Sequence, residues 1–118
     1  MIPPNVAPPK TIIVNYPGAE DKIRKQYVYE TFLSTAEVQH TKLVPGNRLI
    51  VKFREEIVGE GQAILVEPTN LEKLTPYDAM IGGYETVDAL KKDVLQRILK
   101  DAKRAAETPF IKVLFRWL

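Results

Sequence analysis

The amino-acid sequence predicts an α+β domain with a mainly β core that the last strand completes. Three observations predict it: alternating apolar and charged residues over 48–54, a second alternation over 110–118, and an amphipathic helical pattern before the second one. The predicted order is strand, helix, three strands, short helix, helix, strand. This order does not match the regular alternation of a βαβ array.

Length and composition favour one domain. The chain has 118 residues, of which 45% are apolar and 27% charged, and this suits a single core. We expect residues 1–9, which include four of the nine prolines, to form a flexible tail and residues 10–118 to form the domain. Many prolines and few thermolabile residues are also typical of thermophiles.

The absence of cysteine excludes a disulfide framework, a thiolate nucleophile and a cysteine-based zinc site. It also suits a reducing compartment. Neither an apolar run long enough to span a bilayer nor a signal-peptide core is found, so we expect a cytoplasmic protein.

The first half of the chain predicts two strands around one helix. Residues 11–16 are rich in β-branched side chains and end at a Pro-Gly pair, which indicates a buried strand. A helix is predicted over 19–33, because Glu20 and Asp21 would lie in its first turn and apolar side chains recur four residues apart. Residues 35–42 lack a helical period and are predicted to form a strand.

Two strands are predicted in the middle of the chain. The apolar residues of the first are Leu49, Val51 and Phe53, and they alternate with Arg48, Lys52 and Arg54. A Gly-Glu-Gly segment at 59–61 predicts a hairpin-like break before the second strand, at 62–67. Pro68 is predicted to end or bend that strand.

Residues 75–78 form a helix start signal, because Thr75 can cap, proline fits the first helical position and Asp78 can complete a capping box. The Gly-Gly pair at 82–83 is predicted to end this short helix. Thr86 is then predicted to cap a longer helix that continues to about Ala106.

The last strand is predicted over 110–118. Its alternation places Trp117 on the apolar side, and we expect the indole to be buried against Val94 and Ile98 of the long helix.

Two basic faces are the candidate functional surfaces. The predicted long helix carries a basic stripe opposite its apolar face, formed by Lys92, Arg97, Lys100, Lys103 and Arg104. Clustered cations supply affinity for phosphates, although a solvated helix face with an Asp93–Arg97 pair gives the same pattern. The second basic face is the strand face of Arg48, Lys52 and Arg54, which Glu55 and Glu56 weaken.

Aromatic residues available for stacking on bases are Tyr27, Tyr29, Phe32, Tyr77 and Tyr84, although most aromatics of a small domain belong to its core. Nucleophilic catalysis has little support, because His40 is the only histidine and no Gly-x-Ser-x-Gly elbow is present. No metal and no cofactor are expected, since the sequence has no ligand spacing or phosphate-loop motif for either.

Several segments in the second part of the chain occur in a familiar order. They are a strand ending in Val66-Glu67, the segment at 74–79, the Gly-Tyr pair at 83–84, the helix from Thr86 and the strand at 111–116. In this order they resemble the ASCH domain family of the PUA-like superfamily, and residues 45–51 are similar to its preceding turn and strand. The resemblance implies a small β-barrel of about five or six strands flanked by helices, with an RNA-related role.

Most ASCH domains carry Gly-x-Lys-x-x-Thr-x-Arg where the first helix meets the second strand, and these residues line the ligand pocket. The predicted junction, residues 33–42, lacks this motif. If Thr41 takes the threonine position, Val38 and Leu43 replace the lysine and the arginine. The candidate pocket residues are therefore Thr41, Lys42 and Glu67.

The sequence favours a non-catalytic module that binds RNA or another single-stranded nucleic acid, without a membrane or metal partner. The predicted binding residues are Arg48, Lys52, Arg54, Lys92, Lys100, Lys103 and Arg104. One alternative is an amidohydrolase acting on acylated nucleosides, as some small ASCH proteins do. Another is a protein-interaction module whose basic helix meets an acidic partner. The sequence leaves the ligand's base preference and the oligomeric state open.

Overall fold

The computed structural model describes residues 8–118, which form five strands and four α-helices. The strands are β1 (Lys10–Val14), β2 (Glu30–Leu33), β3 (Arg48–Phe53), β4 (Glu56–Thr69) and β5 (Phe110–Trp117). The helices are α1 (Glu20–Arg24), α2 (Thr35–Thr41), α3 (Pro76–Gly82) and α4 (Val87–Arg97). Short 3₁₀ turns lie at Pro17–Ala19, Leu71–Lys73 and Ala105–Glu107.

The five strands form one mixed sheet in the order β1-β3-β4-β5-β2. The β1–β3 pair is parallel and the other pairs are antiparallel. The long strand β4 pairs with β3 through its first half and with β5 through its second half, and the sheet curves into a half-barrel with β1 and β2 at its edges. The predicted α+β class is confirmed, and the five strands agree with the expected number.

Apolar layers cover both faces of the sheet. The inner face of the half-barrel holds Val51, Phe53, Val113 and Phe115 in one buried cluster. The outer face holds Phe32 and Phe110, which pack with residues of α3 and α4 in a second cluster. Strand β2 is therefore buried on both faces, although it lies at the sheet edge.

The predicted helix over 19–33 is wrong beyond its first turns. Helix α1 ends at Arg24, and Gln26 takes a left-handed backbone with φ of 62°. The chain then enters β2, where Glu30 to Leu33 pair with β5. Pairing with a strand about 80 residues later outweighs the local helical spacing, which shows tertiary context overriding propensity.

The predicted strand over 35–42 is also wrong, because this segment forms α2. Ser34 accepts a hydrogen bond from the Glu37 backbone N–H, while the Glu37 side chain accepts one from the Ser34 N–H. This capping box was visible in the sequence as Ser-x-x-Glu. Lys42 ends the helix in the left-handed region, with φ of 56°.

The hairpin break predicted at 59–61 is wrong. The turn instead lies at Arg54–Glu55, and β4 runs through the glycines and past Pro68 to Thr69. Gly59 is required for another reason: a Cβ built there would lie 2.9 Å from the Trp117 ring. The glycine allows the indole to pack against the β4 backbone.

Helix α3 confirms the predicted capping box at Thr75 and Asp78 and the stop at the glycine pair. Helix α4 begins after Thr86 as predicted but ends at Arg97. There the Leu99 N–H bonds to the Val94 carbonyl, five residues back, and Leu99 is buried in the outer cluster. The predicted continuation to Ala106 is therefore wrong.

Trp117 lies in a different place from the one predicted. Its Nε1 donates a hydrogen bond to the Val28 carbonyl at 2.9 Å, and its ring meets the Phe115 ring edge-on at 5.4 Å between centroids. It packs with the inner cluster, whereas Val94 and Ile98 belong to the outer one. The predicted contact of Trp117 with Val94 and Ile98 is therefore wrong, because the sheet lies between them.

The predicted tail over 1–9 lies mostly outside the described residues, and Pro8 and Pro9 are exposed just before β1. Within residues 8–118, none of the helices combines the length and the apolar composition needed to cross a membrane. In the same part of the chain, His, Asp and Glu side chains do not group into an arrangement that could hold a metal ion.

Candidate nucleic-acid interface

The strand cations divide into two groups. Arg48 and Lys52 lie on the outer face of β3, opposite the buried Leu49, Val51 and Phe53, so the predicted alternation is confirmed. Arg48 forms an ion pair with Glu60 of the neighbouring strand.

Arg54 lies in the hairpin turn and not on the strand, with φ of 55°. Its guanidinium carbon is 5.2 Å from the centroid of the Phe53 ring. Glu20, Glu55 and Glu56 share the surrounding surface, and these acids oppose phosphate binding at Arg54.

The helix cations do not form one stripe. Lys92 lies on α4, but Lys100, Lys103 and Arg104 follow the end of the helix, where the backbone is irregular. All four are exposed, and Arg104 pairs with Glu107 at 3.4 Å. The single helical arc expected from the sequence is wrong, because α4 is shorter than its amphipathic pattern.

Arg97 turns toward the sheet. It pairs with Asp93 at 3.3 Å, and its Nη1 donates to the Phe32 carbonyl at 3.2 Å. Asp93 also accepts a hydrogen bond from the buried Tyr84 hydroxyl at 2.5 Å, and burial raises the pKa of this phenol. The Asp93–Arg97 pair is confirmed and has a structural role.

The structure does not bring the candidate pocket residues together. Thr41 lines a cavity of about 220 Å³ beside β1 and donates a hydrogen bond to the Glu37 carbonyl at 2.9 Å. Lys42 is exposed at the end of α2, which packs on the inner face through Val38. Glu67 lies on the outer face beside Lys112.

The junction of the first helix with the second strand lies at residues 25–30, so the alignment on Thr41 is wrong. At this junction Gln26 has the left-handed backbone that favours glycine. Spacing the family motif from Gln26 places Val28, Thr31 and Leu33 at the lysine, threonine and arginine positions. Val28 is fully buried, and only the threonine matches.

An open groove of about 660 Å³ lies between the start of β2, helix α3 and strands β4 and β5. Its apolar surface includes Tyr29, Tyr77, Ile64, Leu114 and Trp117. Tyr29 is 41% exposed and Tyr77 is 64% exposed, which leaves much of both rings accessible. Of the other aromatics considered for stacking, Phe32 and Tyr84 are buried, and the exposed Tyr27 lies outside this groove.

Two cations line the same groove. Arg116 donates from Nε and Nη2 to the Gln62 side-chain oxygen at 2.9 and 2.8 Å, which orients its guanidinium. Lys25 forms an exposed ion pair with Asp21 at 3.1 Å, a contact of small energy. The residues that line the groove include no acid, so its charge favours an anion.

A buried polar cluster lies beside the groove on the outer face. Glu30 is 2% exposed and Asp78 is 6% exposed. Lys112 Nζ is 3.5 Å from Glu67 Oε1 and 3.7 Å from Asp78 Oδ1. Asp78 Oδ2 accepts from the Thr75 N–H at 2.9 Å and from the Thr75 hydroxyl at 3.0 Å.

Glu30 is protonated at neutral pH. Burial is the largest cause that raises the pKa of its carboxyl, the negative charge and hydrogen bond of Asp78 raise it as well, and Lys112 lowers it; together they bring this pKa to about 8. As a carboxylate, Glu30 has no hydrogen-bond partner for Oε2 among residues 8–118. As a carboxylic acid it can donate to Asp78.

The sequence pointed to Glu67 but not to the rest of this cluster. Glu30 fell within the segment predicted as helix, and nothing in the sequence singled out Lys112. The sequence did contain one signal for Glu30. Residues two apart lie on the same face of a strand, so an acid two residues before the buried Phe32 would share its buried face.

Solved structures of two bacterial proteins have the same architecture. A DUF984 protein from Enterococcus faecalis V583 matches with a TM-score of 0.66 and 12% identity, over 93% of this chain and 76% of its own. The ASCH domain from Lactobacillus crispatus JV V101 matches with a TM-score of 0.62 and 10% identity, over 92% of this chain and 79% of its own. Neither a protein-family model nor a curated protein matches the sequence. The resemblance inferred from the sequence is confirmed in three dimensions: the chain has an ASCH-like fold.

Proposed function

We propose that this chain is a non-catalytic module that binds single-stranded nucleic acid, RNA in the first place, through the groove beside α3. The observation that carries the proposal is the groove itself, whose lining combines two exposed tyrosines with two cations and includes no acid, although Lys25 has an exposed pair with Asp21 outside it. Tyrosine rings stack on unpaired bases for about 1–3 kcal/mol per base, and cations neutralise phosphates. A duplex hides its base faces, so the single strand is the ligand.

The fold supports the same ligand. The ASCH resemblance implies an RNA-related role, and the predicted cytoplasmic location would give access to RNA. At the junction of α1 and β2 the lysine and arginine of the family motif are missing, which supports binding without catalysis.

Two of the predicted strand cations lie on the same face of the sheet as the groove residue Arg116. Arg48 stands in register with Gln62, and Gln62 stands in register with Arg116. Two strand spacings separate Arg48 from Arg116, roughly 10 Å across the sheet. Arg116, Arg48 and Lys52 share the outer face and would add phosphate contacts along one strand, Arg48 by exchanging its exposed pair with Glu60, with Lys92, Lys100, Lys103 and Arg104 adding long-range attraction.

The test measures the affinity of a fluorescein-labelled ten-nucleotide RNA by anisotropy, for the native chain and for Tyr29→Ala/Tyr77→Ala. We expect the double variant to bind at least about 30-fold more weakly, because two stacking contacts of about 1 kcal/mol or more each are lost. Tyr27→Ala is the matched control, since Tyr27 is 62% exposed and lies outside the groove. The single tryptophan lies in the groove, and its fluorescence should change on binding.

Salt dependence tests the phosphate contacts. Arg116→Ala should lower the slope of log affinity against log salt by about 0.7, the value for one phosphate of a single strand. The triple reversal of Lys100, Lys103 and Arg104 to Glu should change this slope less than Arg116→Ala and Arg48→Ala together. Equal affinity of the double tyrosine variant and the native chain, or equal binding of duplex and single strand, would contradict the proposal.

A further inference from the structure

The buried carboxyl pair joins the two elements that carry the groove tyrosines. Tyr29 directly precedes Glu30 on β2, and Tyr77 directly precedes Asp78 on α3. The Tyr29 N–H donates to the Ile81 carbonyl at 2.8 Å, so the end of α3 is held against the start of β2. The spacing of the two tyrosines therefore depends on how α3 sits on this strand.

Three charged side chains influence the Glu30 carboxyl, and each belongs to a different element. Asp78 faces it from α3, Glu67 from β4 and Lys112 from β5. Lys112 already contacts both Glu67 and Asp78. If Glu30 ionises, three carboxylates share one lysine.

The two protonation states of Glu30 act differently on α3. The carboxylic acid can donate a hydrogen bond to Asp78 and so joins the strand to the helix. The carboxylate has an oxygen with no partner in the described part of the chain and faces a second negative charge at close range. Like charges out of water repel strongly, and a seven-residue helix is the element that can yield.

We propose that the protonation of Glu30 regulates the groove: the acid holds α3 on β2 and keeps Tyr29 and Tyr77 at binding distance, whereas the anion displaces α3 and weakens nucleic-acid binding. This inference rests on the proposed function. Because the Glu30 pKa is raised to about 8, the acid predominates at pH 6.5 and the anion at pH 9.

Two measurements test the coupling. The first is the affinity for the labelled RNA between pH 6.5 and pH 9, for the native chain, Glu30→Gln and Glu67→Gln. We expect native affinity to fall about tenfold over this range, and Glu30→Gln to change less than about twofold, because glutamine keeps a donor for Asp78 and cannot ionise. Glu67→Gln is the matched control: it neutralises a half-exposed acid of the same cluster and should keep the native transition, moved only slightly to lower pH, because the Glu67 charge is the smallest of the causes that raise the Glu30 pKa.

The second measurement needs no ligand. Hydrogen exchange of the α3 amides, compared between variants at each pH, should show native α3 opening more often at pH 9 while α3 of Glu30→Gln stays protected. If Glu30→Gln does not fold, Lys112→Met replaces it: losing the cation that stabilises the Glu30 anion should move the native transition to higher pH.

The outcomes separate the two proposals. Strong binding with identical pH profiles for the native chain and Glu30→Gln, and unchanged α3 protection, would overturn the regulation and leave the function intact. Absence of binding at every pH would overturn the function and the regulation together. Both proposals are supported if the native chain loses affinity at high pH, Glu30→Gln does not, and the exchange protection of α3 changes in the same way.

Discussion

Asp78 and Lys112 link the start of α3 to the middle of the sheet, because Asp78 Oδ1 lies 3.7 Å from Lys112 Nζ. The other Asp78 oxygen completes the cap of the same helix through Thr75. One carboxylate thus stabilises the helix start and anchors it to β5. This contact holds α3 on the sheet together with the packing of Ala79 in the outer cluster and the Tyr29–Ile81 backbone hydrogen bond.

Replacing Lys112 by methionine should lower the free energy of unfolding by on the order of 2 kcal/mol at pH 7. The buried Asp78 carboxylate would lose its cation, although partial exposure of Lys112 keeps the loss below that of a fully buried pair. Glu67→Gln removes the half-exposed partner and should cost less than about 1 kcal/mol. Urea unfolding measures both, and equal losses would show that Lys112 serves the two acids alike.

The free energy of unfolding should fall as pH rises between about 4.5 and 8, and ionisation of Glu30 should account for much of the fall. The folded chain holds the Glu30 proton up to a pKa of about 8, whereas the unfolded chain releases it near 4.5. The contribution of Glu30 to the free energy of unfolding is complete below pH 4.5. It is lost between pH 4.5 and about 8, at about 1.4 kcal/mol per pH unit for one proton.

Glu30→Gln should remove this part of the pH dependence. Urea unfolding at several pH values measures the free energy of unfolding of the native chain and of the variant. The difference between the two gives the contribution of the Glu30 carboxyl at each pH. A difference that stays constant from pH 5 to pH 8 would mean that Glu30 ionises normally in the fold.

Two glycines with left-handed backbones should differ in their tolerance of alanine. Gly46 has φ of 95° and open space around it, so Gly46→Ala should cost about 1–2 kcal/mol from backbone strain alone. Gly83 has φ of 88°, and a Cβ there would lie 2.8 Å from the Ala19 Cβ and 3.0 Å from Val28 Cγ2. Gly83→Ala should therefore cost about 1–3 kcal/mol more. Thermal unfolding compares the variants, and similar melting temperatures would argue against the close packing at Gly83.

The purified chain should not hydrolyse an N-acylated cytidine. Amide cleavage of the kind known in the family needs a reactive lysine in the pocket, and Val28 is at the matching position of the junction. Lys42 is exposed at the end of α2, away from Glu67 on the other face of the sheet. Chromatography of the nucleoside after incubation provides the measurement. Turnover that Lys42→Ala abolishes would favour the amidohydrolase alternative.

Local signals in the sequence were enough for several elements. The alternation of Leu49, Val51 and Phe53 predicted β3 and its buried face, because a strand's side chains alternate whatever it pairs with. The Thr75 capping box predicted the start of α3 for a similar reason, since its hydrogen bonds join residues three apart. The order of such segments also indicated the ASCH-like fold.

Tertiary structure alone decided the rest. Residues 30–33 form a strand because β5 supplies their backbone partners, and no local period could show this. Tyr29 and Tyr77 are 48 positions apart in the sequence and share a groove only because α3 packs on β2. The proton on Glu30 has the same origin: burial under α3 beside Asp78 raises its pKa, and burial depends on residues distant in the chain.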